Sequence, residues 1–118
     1  MKYLFIHYPK CGTCRKAKKW LEENNIDFEE RNIVEDNPTK EELEKWSNEG
    51  DVPLKKFFNT SGRLYREMGL KEVVKTASDE KLLDFLSSDG MLVKRPVLVK
   101  GGLTLIGFKE REWEERLK

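Results

Sequence analysis

Tyr3-Leu4-Phe5-Ile6-His7-Tyr8-Pro9-Lys10-Cys11-Gly12-Thr13-Cys14-Arg15-Lys16-Ala17-Lys18-Lys19-Trp20-Leu21 changes its hydrophobic period part-way along, and that change decides the fold. Tyr3 to Ile6 is a short apolar run rich in aromatic and branched residues, bounded by Pro9, and it reads as a buried strand. From about Thr13 to Asn24 the apolar residues return at helical spacing. Cys14, Ala17, Trp20 and Leu21 make one stripe, while Arg15, Lys16, Lys18, Lys19, Glu22 and Glu23 take the other faces. A cysteine pair therefore marks the junction, with Cys11 at the helix start and Cys14 on the stripe that turns inward.

A helix start is where a thiol is activated. Unpaired backbone N–H groups and the helix dipole favour an anion there, and the anion in question is a thiolate. The CxxC spacing and the basic neighbours Arg15 and Lys16 act in the same direction. The three-residue offset brings Cys14 under Cys11, which suits it to resolve a mixed disulfide formed on the exposed sulfur. Gly12 leaves room for a substrate to approach the backbone. Two other readings compete. Half of a zinc site would have only His7 as a further soft ligand, short of the usual four. Inert core cysteines would not ordinarily sit in a CxxC between a strand and a helix.

Beyond the opening unit, Phe28 to Val34 reads as a second strand. Thr39-Lys40-Glu41-Glu42 fits a capping box, opening a helix to about Asn48. Gly50 and Pro53 break the chain. Short helical pieces are expected over Leu54 to Phe58, Leu64 to Met68 and Leu70 to Val74, and a longer helix from Ser78 to Asp89-Gly90. Val97-Leu98-Val99 and Leu103 to Ile106, joined through Gly101-Gly102, read as a hairpin, and Lys109 to Lys118 as a short closing helix. The order is β-α-β, helices, β-β-α. An opening βαβ unit demands a parallel pair with a right-handed crossover. The fold class is α/β: a thioredoxin-like (glutaredoxin-type) mixed sheet with a helical insertion over about 38–90.

Bulk properties narrow the function. The 118 residues suit one domain, 1–118, with one core. The net charge of +1 argues for neither a nucleic-acid nor a membrane partner. The apolar run at the start is too short for a signal or spanning segment, so the expectation is a cytoplasmic protein, monomeric and with no bound cofactor. In a reducing compartment a close cysteine pair is more often catalytic or redox-sensing than structural. Trp20, Trp46 and Trp113 lie at helical spacing and read as core rather than as a base-stacking platform.

The segment His7-Tyr8-Pro9-Lys10-Cys11-Gly12-Thr13-Cys14-Arg15-Lys16-Ala17 resembles the active-site opening of the arsenate reductase-like (ArsC/Spx) family. The likeness continues through Phe57-Phe58-Asn59-Thr60-Ser61-Gly62, through Asp89-Gly90-Met91-Leu92-Val93-Lys94-Arg95-Pro96 and through Gly107-Phe108. The family includes glutaredoxin-linked arsenate reductases and Spx-type redox regulators that bind RNA polymerase. The resemblance implies Cys11 as nucleophile, Arg95 as the cation beside it, and Pro96 as the proline preceded by a cis peptide. It also implies binding roles near the sulfur for Gly12, Thr13, Arg15 and His7, with His7 tuning Cys11 or else lying solvated at a strand end.

Glutathione, glutaredoxin or thioredoxin would return the oxidised pair to thiols, and the α subunit of RNA polymerase is the partner a regulator would have. Two departures stand out. Arsenate reductases of this type hold the oxyanion with three arginines, and this chain has Asn59 and Phe108 where two of them align, leaving Arg95, with Arg63, Arg66 or Lys109 as substitutes. Cys14 replaces a serine common in that branch, which makes an internal disulfide available. Against the Spx type, Lys94 rather than a second arginine precedes Arg95, and Gly50 lies in a turn similar to the Spx docking region.

Overall fold

The structure, a computed structural model, describes residues 2–118. Strand β1 (Tyr3–His7) presents successive side chains to opposite sides of a sheet, and both sides are covered: Phe5 and Ile6 are each fully buried, in different clusters. This two-sided burial is why the strand reads as a continuous apolar run. After it come α1 (Gly12–Glu23), β2 (Phe28–Asn32), α2 (Lys40–Gly50), α3 (Arg63–Glu67), α4 (Leu70–Thr76), α5 (Asp79–Ser88), β3 (Val97–Lys100), β4 (Leu103–Ile106) and α6 (Glu110–Leu117). Single 3-10 turns at Leu54–Phe57 and Gly90–Leu92 flank the middle helices.

The sheet order is β2-β1-β3-β4. β1 runs parallel to β2 and antiparallel to β3, and β3 and β4 form the hairpin that the paired glycines predict. This is the thioredoxin-like α/β arrangement, with α2 to α5 inserted between β2 and β3. Phe5, Leu98 and Leu105 are cross-strand neighbours on one face, where they meet Ala17, Trp20 and Leu21 of α1 and Trp113 of α6. Ile6, Val97 and Val99 face the other way, under Leu43, Trp46, Leu82 and Leu86 of the insertion. All three tryptophans are core residues, and the indole N–H of fully buried Trp113 donates to the Gly107 carbonyl at 3.2 Å. With its one polar atom satisfied, such a side chain is worth about 3–5 kcal/mol against truncation to alanine.

Differences from the sequence reading have local causes. β2 stops at Asn32 rather than Val34 because the Asn32 side-chain oxygen accepts from the N–H groups of Val34 and Glu35, folding the chain into a turn. The expected helix over Leu54 to Phe58 is one 3-10 turn, since Phe58 already bridges Val93 in antiparallel fashion. The capping box forms: Glu42 N–H donates to the Thr39 hydroxyl at 3.1 Å, and Thr39 N–H to the Glu42 carboxylate at 3.0 Å. Helix α2 runs on to Gly50, beyond the expected Asn48. A β-carbon at Gly50 would fall 2.4 Å from the Thr104 hydroxyl oxygen, so close approach of α2 to β4 accounts for this glycine.

Candidate active site

Cys11 is the N-cap residue of α1, in extended conformation. The tight loop before it holds this position: Cys11 N–H donates to the Tyr8 carbonyl at 2.9 Å, and Arg15 N–H donates to the Cys11 carbonyl at 3.1 Å. No side chain caps the helix, so its first N–H groups are open to the sulfur. Cys11 is half-buried, Cys14 one turn on is fully buried, and both are free thiols.

The two sulfurs are pushed apart in acidity. Burial raises the Cys11 thiol, but hydrogen bonds from the Cys14 backbone N–H, the Cys14 thiol and the Arg95 guanidinium outweigh it, and the net pKa lies below that of an ordinary thiol. Burial pushes Cys14 up to about 12, opposed by the Tyr8 backbone and helped by the hydrogen bond and charge of Cys11. At neutral pH the half-buried Cys11 sulfur is the better anion and the fully buried Cys14 its proton-bearing neighbour.

Arg95 reaches this point from the start of the neighbouring strand, since Val97 of β3 pairs with Ile6 near the end of β1. It precedes β3, and the Arg95–Pro96 peptide is cis. The segment is anchored by Lys94 N–H donating to the Phe57 carbonyl at 2.7 Å, Asn59 N–H donating to the Leu92 carbonyl at 2.8 Å, and Gly107 N–H donating to the Pro96 carbonyl at 2.8 Å. The guanidinium carbon lies 5.3 Å from the centroid of the Tyr8 ring, and one terminal nitrogen is 3.9 Å from the Met91 sulfur. Its Nε is buried without a hydrogen-bond partner, a donor costly to leave unused except where a ligand or water supplies the acceptor.

Cys11 and Arg95 open together into a cavity of about 280 Å³, which Thr13, Asn59, Phe108 and two lysines, Lys94 and Lys109, also line. Asn59 and Phe108, the positions where the resemblance expects arginines, thus line the same cavity as Cys11. Phe108 packs edge-on to Trp113 at 4.9 Å and supplies an apolar wall; Asn59 brings a neutral amide. Arg63 lines a neighbouring cavity of about 260 Å³ on the other side of Arg95 and is paired with Glu67 at 2.7 Å.

Other residues fall differently from expectation. Arg15 turns back to the Pro9 carbonyl at 3.1 Å, so it braces the loop, and the cation at the sulfur is Arg95 rather than Arg15 or Lys16. His7 is neither solvated nor beside Cys11. Its buried ring stacks on Phe5 at 4.6 Å, and its Nε2 lies 3.1 Å from Glu30, which also pairs with Lys18 at 2.9 Å. Burial lowers the His7 pKa, Glu30 opposing and Lys18 assisting. A β-carbon at Gly12 would meet nothing within 4 Å. Among the described residues no three His, Cys, Asp or Glu side chains converge on a metal position, and no helix is long and apolar enough to cross a membrane.

Residues 6–116, from the core of β1 to the end of α6, match the ArsC family, and every cavity residue above lies inside that match. The chain belongs to the ArsC family. It is 51% identical over 115 residues to the uncharacterized protein YusI of Bacillus subtilis, covering 98% of both chains. A crystal structure of a putative ArsC family related protein from Bacteroides fragilis superposes with a TM-score of 0.93 at 51% identity, covering 98% of this chain and 97% of that one. The global transcriptional regulator Spx 2 of Bacillus anthracis is 28% identical over 102 residues, 86% of this chain and 76% of that protein. ArsC is a general thiol-redox family, and a transcriptional regulator is among the relatives of this chain. What sequence reasoning passed over inside this ArsC site is Lys94, whose place in the cavity depends on the bridge between Phe58 and Val93.

Proposed function

We propose that this ArsC-family chain is a dithiol thiol–disulfide oxidoreductase, with Cys11 as nucleophile, Cys14 as resolving cysteine and Arg95 as the charge partner of the reacting sulfur. The observation that carries the reading is the geometry of one CxxC: half-buried Cys11 at the N-cap of α1, fully buried Cys14 one turn on, both free thiols, and Arg95 lining the same cavity as Cys11. The Cys11 thiolate attacks a substrate disulfide. A bond forms between its Sγ and one substrate sulfur, the substrate S–S bond breaks, and the other sulfur departs with the electron pair as a thiolate. Cys11 then carries no charge and no longer repels ionisation of Cys14, so part of what holds the Cys14 proton disappears at the moment that thiol is needed. Cys14 gives up its proton to solvent or the departing thiolate and attacks Cys11, releasing the second substrate thiol. Glutathione, glutaredoxin or thioredoxin reduces the resulting Cys11–Cys14 disulfide.

Efficient arsenate reduction is not expected. One arginine lines the Cys11 cavity, and each missing charge-assisted hydrogen bond to an oxyanion forgoes about 1.5–3 kcal/mol. Purified protein should turn over a small mixed disulfide with glutathione or a thioredoxin system as reductant, and Cys11→Ser should abolish turnover. Absence of turnover in disulfide, deglutathionylation and arsenate assays alike would refute the proposal.

The likeness to regulators of the Spx type supports a second reading, a redox-dependent partner of the RNA polymerase α subunit. Gly50 lends it little, because contact with Thr104 already explains that glycine. Capture of the α subunit by one redox state and not the other would favour this reading; absence from both would discard it.

A further inference from the structure

The Cys11 cavity does not end at the sulfur. Lys94 and Lys109 also line a second, larger cavity of about 530 Å³ that continues along α2 and β4. Lys55, Lys56 and Arg116 line this extension as well, so five cations face two carboxylates, Asp51 and Glu112. None of the five cations takes part in an ion pair among the described residues, as holds for most lysines and arginines of the chain. A chain of net charge +1 thus sets five cations against two carboxylates along a cavity that shares Lys94 and Lys109 with the one at Cys11. A concave surface lined by one sign of charge raises the local concentration of ligands of the other sign and speeds their arrival by about 10- to 1000-fold, an advantage that salt removes. At the sulfur end itself Arg95, Lys94 and Lys109 line the cavity and no carboxylate does, so the positive lining is continuous with Cys11.

We propose that this groove selects the substrate: a disulfide-bonded cysteine in an acidic polypeptide segment, its sulfur at Cys11 and its neighbouring carboxylates along Lys94, Lys109, Lys55, Lys56 and Arg116. The proposal rests on the thiol–disulfide reading above and specifies its substrate class. The exchange balances as in that reading: the Cys11 Sγ bonds to the peptide sulfur, the old S–S bond breaks, and the departing thiolate keeps the electron pair. Two electrons return from glutathione or a dithiol protein.

The test uses the full chain carrying Cys14→Ser, so that each encounter stops at the mixed disulfide on Cys11. Short cysteine peptides of equal length, one rich in Asp and Glu and one rich in Lys, are presented as mixed disulfides with thionitrobenzoate, whose release is followed by absorbance. Glutathione carrying the same leaving group is a third arm. The acidic peptide should react about tenfold or more faster than the basic one, and the ratio should fall towards unity in about 0.5 M NaCl. Lys55→Glu with Lys56→Glu should lower or invert the ratio, and refolding is checked by circular dichroism. Acidic and basic peptides reacting within about twofold of each other would overturn the proposal, as would a preference that survives charge reversal. Glutathione reacting fast while the peptides show no ratio would assign the site to small thiols and equally overturn it. If no arm reacts, the oxidoreductase reading itself fails, and the two failures are thereby distinguished.

Discussion

Replacing Arg95 with glutamine removes one positive charge from the Cys11 sulfur and keeps a side chain of similar reach. The hydrogen bond and charge of Arg95 both lower the Cys11 pKa, so the thiol must become a weaker acid in Arg95→Gln. A charge-assisted hydrogen bond is worth about 1.5–3 kcal/mol, and Cys11 is only half-buried, so solvent screening places the effect at the lower end. That is about a tenfold fall in the thiolate-to-thiol ratio at a pH below the titration midpoint. Each remaining thiolate is more nucleophilic because it is more basic, which recovers about half of the loss on a logarithmic scale. The expected net change is about a threefold slower reaction with iodoacetamide at about pH 6, together with an upward shift of the pH midpoint. Cys14→Ser serves as the background so that a single thiol reports, with thiolate absorbance giving the titration independently of the rate. Arg95→Lys should restore part of the shift, since it keeps the charge and loses the planar fork. An unchanged midpoint in Arg95→Gln, with the fold intact by circular dichroism, would refute the claim that Arg95 sets the acidity of this sulfur.

Other consequences follow from the same geometry. Oxidised wild-type protein should carry an internal Cys11–Cys14 disulfide, two hydrogens lighter by mass spectrometry, whereas Cys14→Ser treated with oxidised glutathione should retain a stable glutathione adduct on Cys11. Gly50→Ala places a β-carbon 2.4 Å from the Thr104 hydroxyl oxygen, which itself donates to the Trp46 carbonyl. The crowding should cost about 1–3 kcal/mol by urea unfolding, partly offset by the better helix propensity of alanine, and Thr104→Ala should relieve part of it. The His7 pKa is lowered by burial, so the folded chain binds fewer protons at this site than the unfolded one. The stability that this neutral ring contributes is complete above about pH 6.5 and is lost as pH falls towards the depressed folded value. Urea midpoints should therefore decline for the wild type below about pH 6.5, and His7→Gln should flatten that decline.

Much of this molecule could be read from residue periodicity. The change from an apolar run to helical spacing at Cys11 places the strand, the helix and the cysteine at their junction, because the strand is buried on both faces and the helix on one. The capping box at Thr39 and the paired glycines at 101 and 102 are equally local signals, each satisfying backbone groups within a few residues of itself. The ends of β2 and of the turn at Leu54–Phe57 were less legible. They are decided by an Asn32 side chain and by a bridge to Val93 across the chain.

The sequence by itself determined the fold class and the place of the cysteine pair at a strand–helix junction, and the family resemblance added that Asn59 and Phe108 stand where arginines are expected. Those properties depend on spacing along one segment or on which residue occupies a position. Only the tertiary structure decided that Arg15 turns away from the sulfur, that His7 turns to Glu30, and that Lys94 and Lys109 line both the Cys11 cavity and a second, larger one. Electrostatic coupling depends on distance through space, and these partners lie on segments that meet only once the sheet has closed.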